Sequence, residues 1–468
     1  MAASELWRWD AVDLAAGIRT RKISSREAVA AHLARVEQVN PRLNAVVDLL
    51  ADEACKAADA ADAAVKRGDA LGALHGVPVT VKINIDYAGR ATTNGVVAFK
   101  DAIAPGDSPV IANWRRAGAV ILGRTNTPAF SYRWFTENDL HGETVNPWGR
   151  HITPGGSSGG ASAAVASGIS SIGHGNDYGG SIRYPAYCTG IVGIRPSFGR
   201  VPAYRPSLNE ERPLTGQLMA VQGPHARSVR DLRAGLWAMS DGDPHDPWWC
   251  PAPRRGPAVT RPIKIARLAT PGASPEVIAA LDAAQRWLGD AGYAVETVTD
   301  APSIDDAALL WRTLVGNEWR LLSAGDIEKY GDAKVRNVVR AMAELIPEID
   351  YAGYLKAAAH RTWIVRDWGV FLARCPIVLC PVSDVPPLPP GADQGGKAAM
   401  EMLLRVQRWQ YGFNLCGLPA IACPTGVTGR TPIGVQLVAS RFREDLLLDA
   451  AEVIEARCGR LTPIDPAA

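Results

Sequence analysis

Pro154-Gly-Gly-Ser-Ser-Gly-Gly160, Gly175-Asn-Asp-Tyr-Gly-Gly-Ser-Ile-Arg183 and Gly190-Ile-Val-Gly-Ile-Arg-Pro196 follow one another within residues 154–196. Glycine is costly in regular structure, so a cluster of it marks backbone that must bend tightly or approach something closely. The first two clusters each deliver a serine. Between them, the Ala161–Ala166 run predicts a buried helix that holds the two loops rigidly to each other. A single Gly-Ser cluster usually reads as a flexible linker. Two clusters flanking an Ala-rich helix, followed by Arg183, Pro185 and a strand-like Ile191–Ile194, do not fit that description.

Outward from this stretch, short apolar runs alternate with helical patterns. Gly76-Val-Pro-Val-Thr-Val-Lys82 and Ala119-Val-Ile-Leu122 read as strands, with a helix over Ser108–Ala117 between them. The first seventy residues look helical: Ser24 or Ser25 caps a helix carrying Val29, Leu33 and Val36, and an Ala-rich stretch runs from Ala51 to Val65. In the second half, Ile263–Leu268, Tyr293–Thr299 and Ile433–Ala439 are predicted strands, and Pro275–Gly289 and Glu444–Arg457 predicted helices. This alternation predicts an α/β protein with a parallel or mixed sheet covered by helices. The organisation expected is an N-terminal helical segment, residues 1–70, packed on a single unit, residues 71–468. Long Pro-rich loops are expected at 244–262 and 376–398.

Composition bounds the function. The chain has 468 residues, 47% of them apolar, with 50 basic against 48 acidic residues and a formal charge of +2. With no run of like charges, nothing points to nucleic acid or an anionic membrane, and the partner expected is a small molecule. Eight cysteines occur without a C-x-x-C pair, which argues against a zinc ribbon, a thioredoxin motif and a disulfide framework. Met1–Asp10 lacks the charge and apolar pattern of a signal peptide, and no apolar run reaches 18 residues. A cytoplasmic, reduced setting is the expectation.

The serines need a base. Gly156-Ser-Ser-Gly-Gly160 formally matches G-x-S-x-G, which would make Ser158 a nucleophile elbow with a downstream histidine. His225, His245 and His360 are available for that role but sit in no recognisable context. Neither S-x-x-K nor a phosphate-binding G-x-x-x-x-G-K-[ST] occurs. Lys82 is the only charge in its strand. Desolvated there, its amine would lose its proton toward neutral pH and act as a base. A lysine snorkelling to solvent from a strand end is the alternative reading of the same position.

These residues resemble the amidase signature family. The match extends from residues 154–196 to Gly76–Lys82, to Gly123-Arg-Thr-Asn126, and to Gln222-Gly-Pro-His-Ala-Arg-Ser228. It continues through Gly417-Leu-Pro-Ala420 and Pro432-Ile-Gly-Val-Gln-Leu437. The resemblance implies the amidase-signature fold, a mixed, mostly parallel β-sheet core sandwiched by α-helices. It also implies a Ser-cisSer-Lys triad, which falls on Ser181 as nucleophile, Ser157 after a cis peptide as bridge, and Lys82 as base. Backbone N–H groups of Tyr178, Gly179, Gly180 and Ser181 would form the oxyanion hole, with Ser158, Asp177 and Arg183 supporting the triad by hydrogen bonds. No metal or organic cofactor is implied. Two positions depart from the family pattern: Ile83 replaces an Asp, with Asn84 retained, and Asn176 replaces a Thr.

The function expected is a stand-alone amidase that cleaves a linear C–N amide bond through an acyl-Ser181 intermediate. Aromatic residues Phe130, Tyr132, Trp134 and Phe135, with Trp319 further on, fall where the family builds its pocket. They favour an apolar or aryl amide, or a carbamate of similar shape. Trp311, Trp409, Tyr411 and Phe413 lie in later segments of the same kind. The glutamine-hydrolysing component of a tRNA-dependent amidotransferase is the alternative. Val201-Pro-Ala-Tyr-Arg-Pro-Ser207 departs from the pattern typical of those proteins. A catalytically silent binding protein and a histidine-dependent esterase using Ser158 are the remaining readings. At family level only, a homodimer is expected.

Overall fold

The β-branched runs pair into one large sheet. A computed structural model describes residues 3–467; residues 1, 2 and 468, the outer ends of the two expected segments, lie outside the described residues. The strands are β1 (Val46–Leu49), β2 (Pro78–Lys82), β3 (Val120–Thr125), β4 (Glu137–Asn138), β5 (Gly142–Glu143), β6 (Ile172–Asp177) and β7 (Val192–Arg195). They continue with β8 (Val221–Ala226), β9 (Lys264–Leu268), β10 (Ala294–Val298), β11 (Ile377–Pro381), β12 (Ala420–Thr428) and β13 (Thr431–Ala439). All but β4 and β5 join one 11-stranded sheet in the order β1-β3-β2-β6-β8-β7-β12-β13-β11-β9-β10.

The sheet is mixed. Strand β2 runs parallel to both β3 and β6, and β9 runs parallel to β10 and β11. From β6 through β8, β7, β12 and β13 to β11 every pairing is antiparallel. The parallel pairing expected to dominate is therefore confined to two flanking blocks. The centre is antiparallel because β12 and β13 form a hairpin, closed at Gly429, whose φ of 62° suits a tight turn.

Two further segments differ from expectation. The N-terminal seventy residues are not all helical: Val46–Leu49 leaves the helices to pair antiparallel with β3 at the sheet edge. The Pro-rich 376–398 segment is not all loop, because its first residues form β11, buried along its whole length. Prolines on both sides obscure the apolar run Ile377-Val-Leu-Cys380, which fits a strand covered on both faces. Residues 244–262 carry no helix or strand.

Side-chain alternation divides the interior into two cores. Ile377 and Leu379 face a core shared with Leu14, Trp114, Leu232 and Leu447, whereas Val378 and Cys380 face one built around Trp368, Phe371 and Phe413. The same period of two fixes Lys82. Val77, Val79 and Val81 enter the first core, so Thr80 and Lys82 turn to the opposite face, where Thr80 Oγ1 meets Ser170 Oγ at 2.9 Å. On that face lies the helix Gly159–Ala166, and beside it Arg183–Thr189; every residue of both helices is buried.

The N-terminal segment is tied down at several points. Ser24 and Glu27 form a reciprocal capping box at the start of Ser25–Leu43. Asp231 accepts from the N–H groups of Ala11 and Val12 at 2.7 and 3.0 Å. Among the described residues, no helix is long and apolar enough to cross a membrane.

Candidate active site

Strand ends and helix starts converge where β2 and β6 lie side by side. Lys82 is the last residue of β2 and is wholly buried. Its Nζ lies 2.7 Å from Ser157 Oγ, 3.2 Å from Ser158 Oγ and 2.8 Å from Asn176 Oδ1. None of these partners is charged. Desolvation therefore pulls the amine well below its ordinary pKa, and the charge of Asp177 opposes this only in part. A neutral amine has two N–H donors and one lone pair. Asn176 Oδ1 and Ser158 Oγ can take the donors, which leaves the lone pair for the Ser157 hydroxyl.

Ser157 sits in the first glycine loop, after a cis Gly156–Ser157 peptide. Gly155 is required there on two counts: its φ is 78°, and a Cβ would lie 2.6 Å from the Cα of Pro185. Ser158 closes the loop as N-cap of Gly159–Ala166, is wholly buried and donates to Asn176 O at 3.4 Å.

Ser181 stands at the far end of the second glycine turn, between β6 and the helix Arg183–Thr189. Asp177 shapes this turn. It accepts from the N–H groups of Gly180 and Ile182 at 2.9 and 3.2 Å, and from Arg183 Nε and Nη2 at 3.0 and 3.1 Å. Asn414 Nδ2 adds a bond at 2.8 Å. These donors, with the guanidinium of Arg195 nearby, hold the buried carboxyl far below the usual carboxylate range. Arg183 is fixed in turn by Gln436 Oε1 at 2.7 Å, by Gln410 O at 3.2 Å and by Asn414 Oδ1. Gly180 has φ 102°, and a side chain there would collide with Gln410.

Of the four backbone groups expected as oxyanion donors, the Gly180 N–H is thus directed at Asp177. Those of Tyr178, Gly179 and Ser181 make no hydrogen bond to a described residue. The Ser181 and Ser157 hydroxyls are not hydrogen-bonded to each other in this structure, but both line one cleft.

Two clefts meet at Ser181. One, of ≈ 610 Å³, is walled by Tyr132, Trp134, Phe135, Tyr178, Trp311 and Tyr411, and closed by Val338, Met342, Met400 and Leu403. Its rings interlock: Trp311 stacks on Tyr411 with centroids 4.4 Å apart, and Trp134 packs against Tyr411 at 5.2 Å. The other, of ≈ 1120 Å³, is the one that holds the polar and charged side chains, Asn84, Ser157, Asn176, Arg205, Arg212, Gln222 and Glu318, among apolar walls that include Ile85, Phe130, Val315, Trp319 and Ile327. Those groups make it the polar cleft of the two. All five pocket residues expected from sequence line one cleft or the other. Trp409 and Phe413 do not; they pack in the core behind.

Several site residues carry no individual signal in the sequence. Asn176, noted only as a departure, reaches Lys82 directly and donates through Nδ2 to Asn84 Oδ1 at 3.0 Å. Asn84 passes the chain on to Ser131 Oγ, which bonds Asn94 Oδ1 at 2.6 Å. Phe130 and Ser131 both have positive φ, 57° and 56°, a strained turn that aims the Ser131 hydroxyl into this network. Gln410 and Asn414 are polar residues four apart in Trp409-Gln-Tyr-Gly-Phe-Asn414, interleaved with three aromatics, and that pattern could have marked them. The histidines considered as bases are placed elsewhere: His225 Nε2 meets Ile182 O at 2.8 Å and His245 pairs with Asp243. No histidine hydrogen-bonds a serine among the described residues, and these contain no cluster of three His, Cys, Asp or Glu side chains able to hold a metal.

Comparison with known proteins covers almost the whole chain. The family model described as Amidase matches residues 27–448. Indoleacetamide hydrolase of Bradyrhizobium diazoefficiens is 46% identical over 97% of this chain and 88% of its own length. A glutamyl-tRNA(Gln) amidotransferase component from Moorella thermoacetica is 32% identical over 96% of this chain and 97% of its own. The crystal structure of a bacterial aryl acylamidase of the amidase signature family superposes with a TM-score of 0.80 at 26% identity, over 98% of this chain and 97% of that one.

Proposed function

This chain belongs to the amidase family and is a stand-alone amide C–N hydrolase, and from that premise we propose that Ser181 is its nucleophile, Lys82 its base and Ser157 the bridge between them. The observation that carries the reading is the buried amine of Lys82, 2.7 Å from Ser157 Oγ and with no carboxylate bonded to it. Unprotonated, Lys82 draws the Ser157 proton while Ser157 draws that of Ser181, whose oxygen attacks the amide carbonyl. The unengaged N–H groups of Tyr178, Gly179 and Ser181 receive the oxyanion. The relay then returns the proton to the leaving nitrogen, which an amide requires because an amide anion is a poor leaving group. Water repeats the cycle and frees the acid. Asp177 and Arg183 act by shaping the turn, and Ser158 by orienting the amine.

The substrate in this reading is an arylacetamide. Its support is the aromatic cleft beside Ser181, together with the 46% identity to an indoleacetamide hydrolase. A reduced, cytoplasmic setting belongs to the same reading, supported by eight cysteines that form no bridge. So does a homodimer, for which exposed Tyr351, Leu355, Trp363 and Val370 on one helix offer apolar surface. Incubation with a fluorophosphonate probe and location of the label by mass spectrometry tests the triad. Label on Ser181 that is strongly slowed in Lys82→Ala supports it. Label on Ser158, or labelling indifferent to Lys82, sinks it. Hydrolysis of phenylacetamide or indole-3-acetamide with kcat/KM no higher than for acetamide would remove the aryl assignment.

A further inference from the structure

Two guanidinium groups line the polar cleft with no carboxylate bonded to either. Arg205 and Arg212 both reach it from the segment between β7 and β8. Arg205 makes no side-chain hydrogen bond or ion pair to a described residue, and its Nε is fully buried. Arg212 donates only to Ala203 O, at 3.4 Å. Burial lowers the pKa of both, and for Arg212 the like charge of Arg205 adds to the effect. Trp319 Nε1, in the same wall, is a further buried donor without an acceptor.

The acidic groups nearby are already engaged. Asp86 accepts from Thr92 Oγ1 at 2.6 Å and from Ser207 Oγ and N at 2.9 and 2.7 Å. Asp246 holds the N–H groups of Ala203 and Trp248, both at 2.9 Å. Glu318 is taken by Thr215 N and Oγ1 and by the Tyr354 hydroxyl. Glu211 is exposed. The cleft therefore presents two guanidinium groups with spare donors, while the carboxylates around it are engaged by other partners. An anion with planar acceptor geometry is what such a pair of guanidinium groups binds best.

The side of the substrate that enters this cleft follows from the proton path. Ser157 lines the polar cleft and not the aromatic one. Since the relay must hand its proton to the leaving nitrogen, that nitrogen lies on the polar side and the acyl group on the aromatic side. We propose that Arg205 and Arg212 form a carboxylate subsite for the leaving amine, so that the substrates include N-arylacetyl amino acids as well as primary arylacetamides. This rests on the Ser181–Ser157–Lys82 reading for the direction of cleavage. In the reaction, the Ser181 Oγ–acyl bond forms, the acyl C–N bond breaks, and the Ser181 proton reaches the nitrogen, which departs as the free amino acid. Water then splits the ester to the arylacetic acid and restores the Ser181 hydroxyl.

The test pairs phenylacetylglycine with its neutral isostere N-isobutylphenylacetamide. Wild-type enzyme is expected to favour the carboxylate substrate in kcat/KM by about tenfold or more, the effect of one or two charge-assisted hydrogen bonds. In the Arg205→Gln/Arg212→Gln double variant that ratio is expected to fall to about one. The same two ligands are titrated calorimetrically into Ser181→Ala protein, with and without the arginine substitutions, so that binding is read without turnover. Tighter binding of phenylacetylglycine that disappears with the arginines supports the subsite. Equal binding of the two ligands, or a preference that survives both substitutions, overturns it. Wild-type protein that cleaves phenylacetamide but not phenylacetylglycine also overturns it, whereas failure on phenylacetamide as well strikes the hydrolytic reading instead and leaves the binding titration to decide the subsite.

Discussion

Lys82 and Arg183 are both wholly buried, both close to Ser181 and both basic, yet their surroundings are opposite. Lys82 meets two hydroxyls and one amide oxygen. Arg183 meets a carboxylate through two nitrogens, with Gln436, Gln410 O and Asn414 taking its other donors. Burial removes water from each alike; the partners decide whether the charge survives. One site favours a neutral amine, and the other holds a fixed ion pair that sets the backbone of the turn carrying Ser181. A buried cation thus marks chemistry when its counter-ion is missing and architecture when it is present.

Removing each group should therefore break different things. Lys82→Ala is expected to slow acylation of Ser181 by about 10²–10⁴-fold, the usual worth of a positioned general base, with little loss of stability. Probe-labelling kinetics beside a thermal melt would read both; a labelling rate near wild type would erase the contrast. Asp177→Asn leaves Arg183 and Arg195 buried without their anion, and is expected to cost about 3–5 kcal/mol of stability in denaturant unfolding. If it cost less than Lys82→Ala, the architectural half of the comparison would be wrong.

A third substitution converts one environment into the other. Asn176→Asp would place a carboxylate where Oδ1 now lies 2.8 Å from Nζ. In the proposed mechanism the unprotonated amine is the active form, so for wild type kcat/KM is expected to rise with pH through the lowered Lys82 pKa and then level. An added carboxylate favours the protonated form and should move this limb up by about 1–3 pH units. An unmoved limb would mean that another group sets it. The stability linkage runs in the same direction. Folded protein binds fewer protons at Lys82 than unfolded chain does between its lowered pKa and the ordinary lysine value, so this group's contribution to stability rises with pH across that window. The smallest effect is expected from Gln436→Leu, which removes one partner of Arg183 and should cost about 1.5–3 kcal/mol. Its pH–rate limb should stay in place, because nothing at Lys82 changes.

Much of this contrast was legible in residue order. Lys82 at the end of an apolar strand, and two glycine turns each carrying a serine, were visible because local backbone needs dictate them. Strands with strong β-branched runs were placed to within three residues at either end. What was not legible came from distant pairing. β11 was hidden between prolines, and Val46–Leu49 became a strand only because β3 offers it an edge. The antiparallel centre depends on which hairpins close. Gln410, Asn414 and Gln436 matter through Arg183, more than two hundred residues away; the spacing of the first two among aromatics could mark them as buried polar groups, but it does not name a partner at that span. Nothing local marks Arg205 and Arg212, which the fold brings to one cleft.

That span has a consequence for the chain as it is made. The turn that presents Ser181 leaves the ribosome with Asp177 and Arg183 already present, but Gln436 follows Arg183 by 253 residues. At about 5–20 residues per second, the wait is on the order of tens of seconds. Until the last seventh of the polypeptide has emerged, the proposed nucleophile's turn therefore lacks three of the partners that fix Arg183.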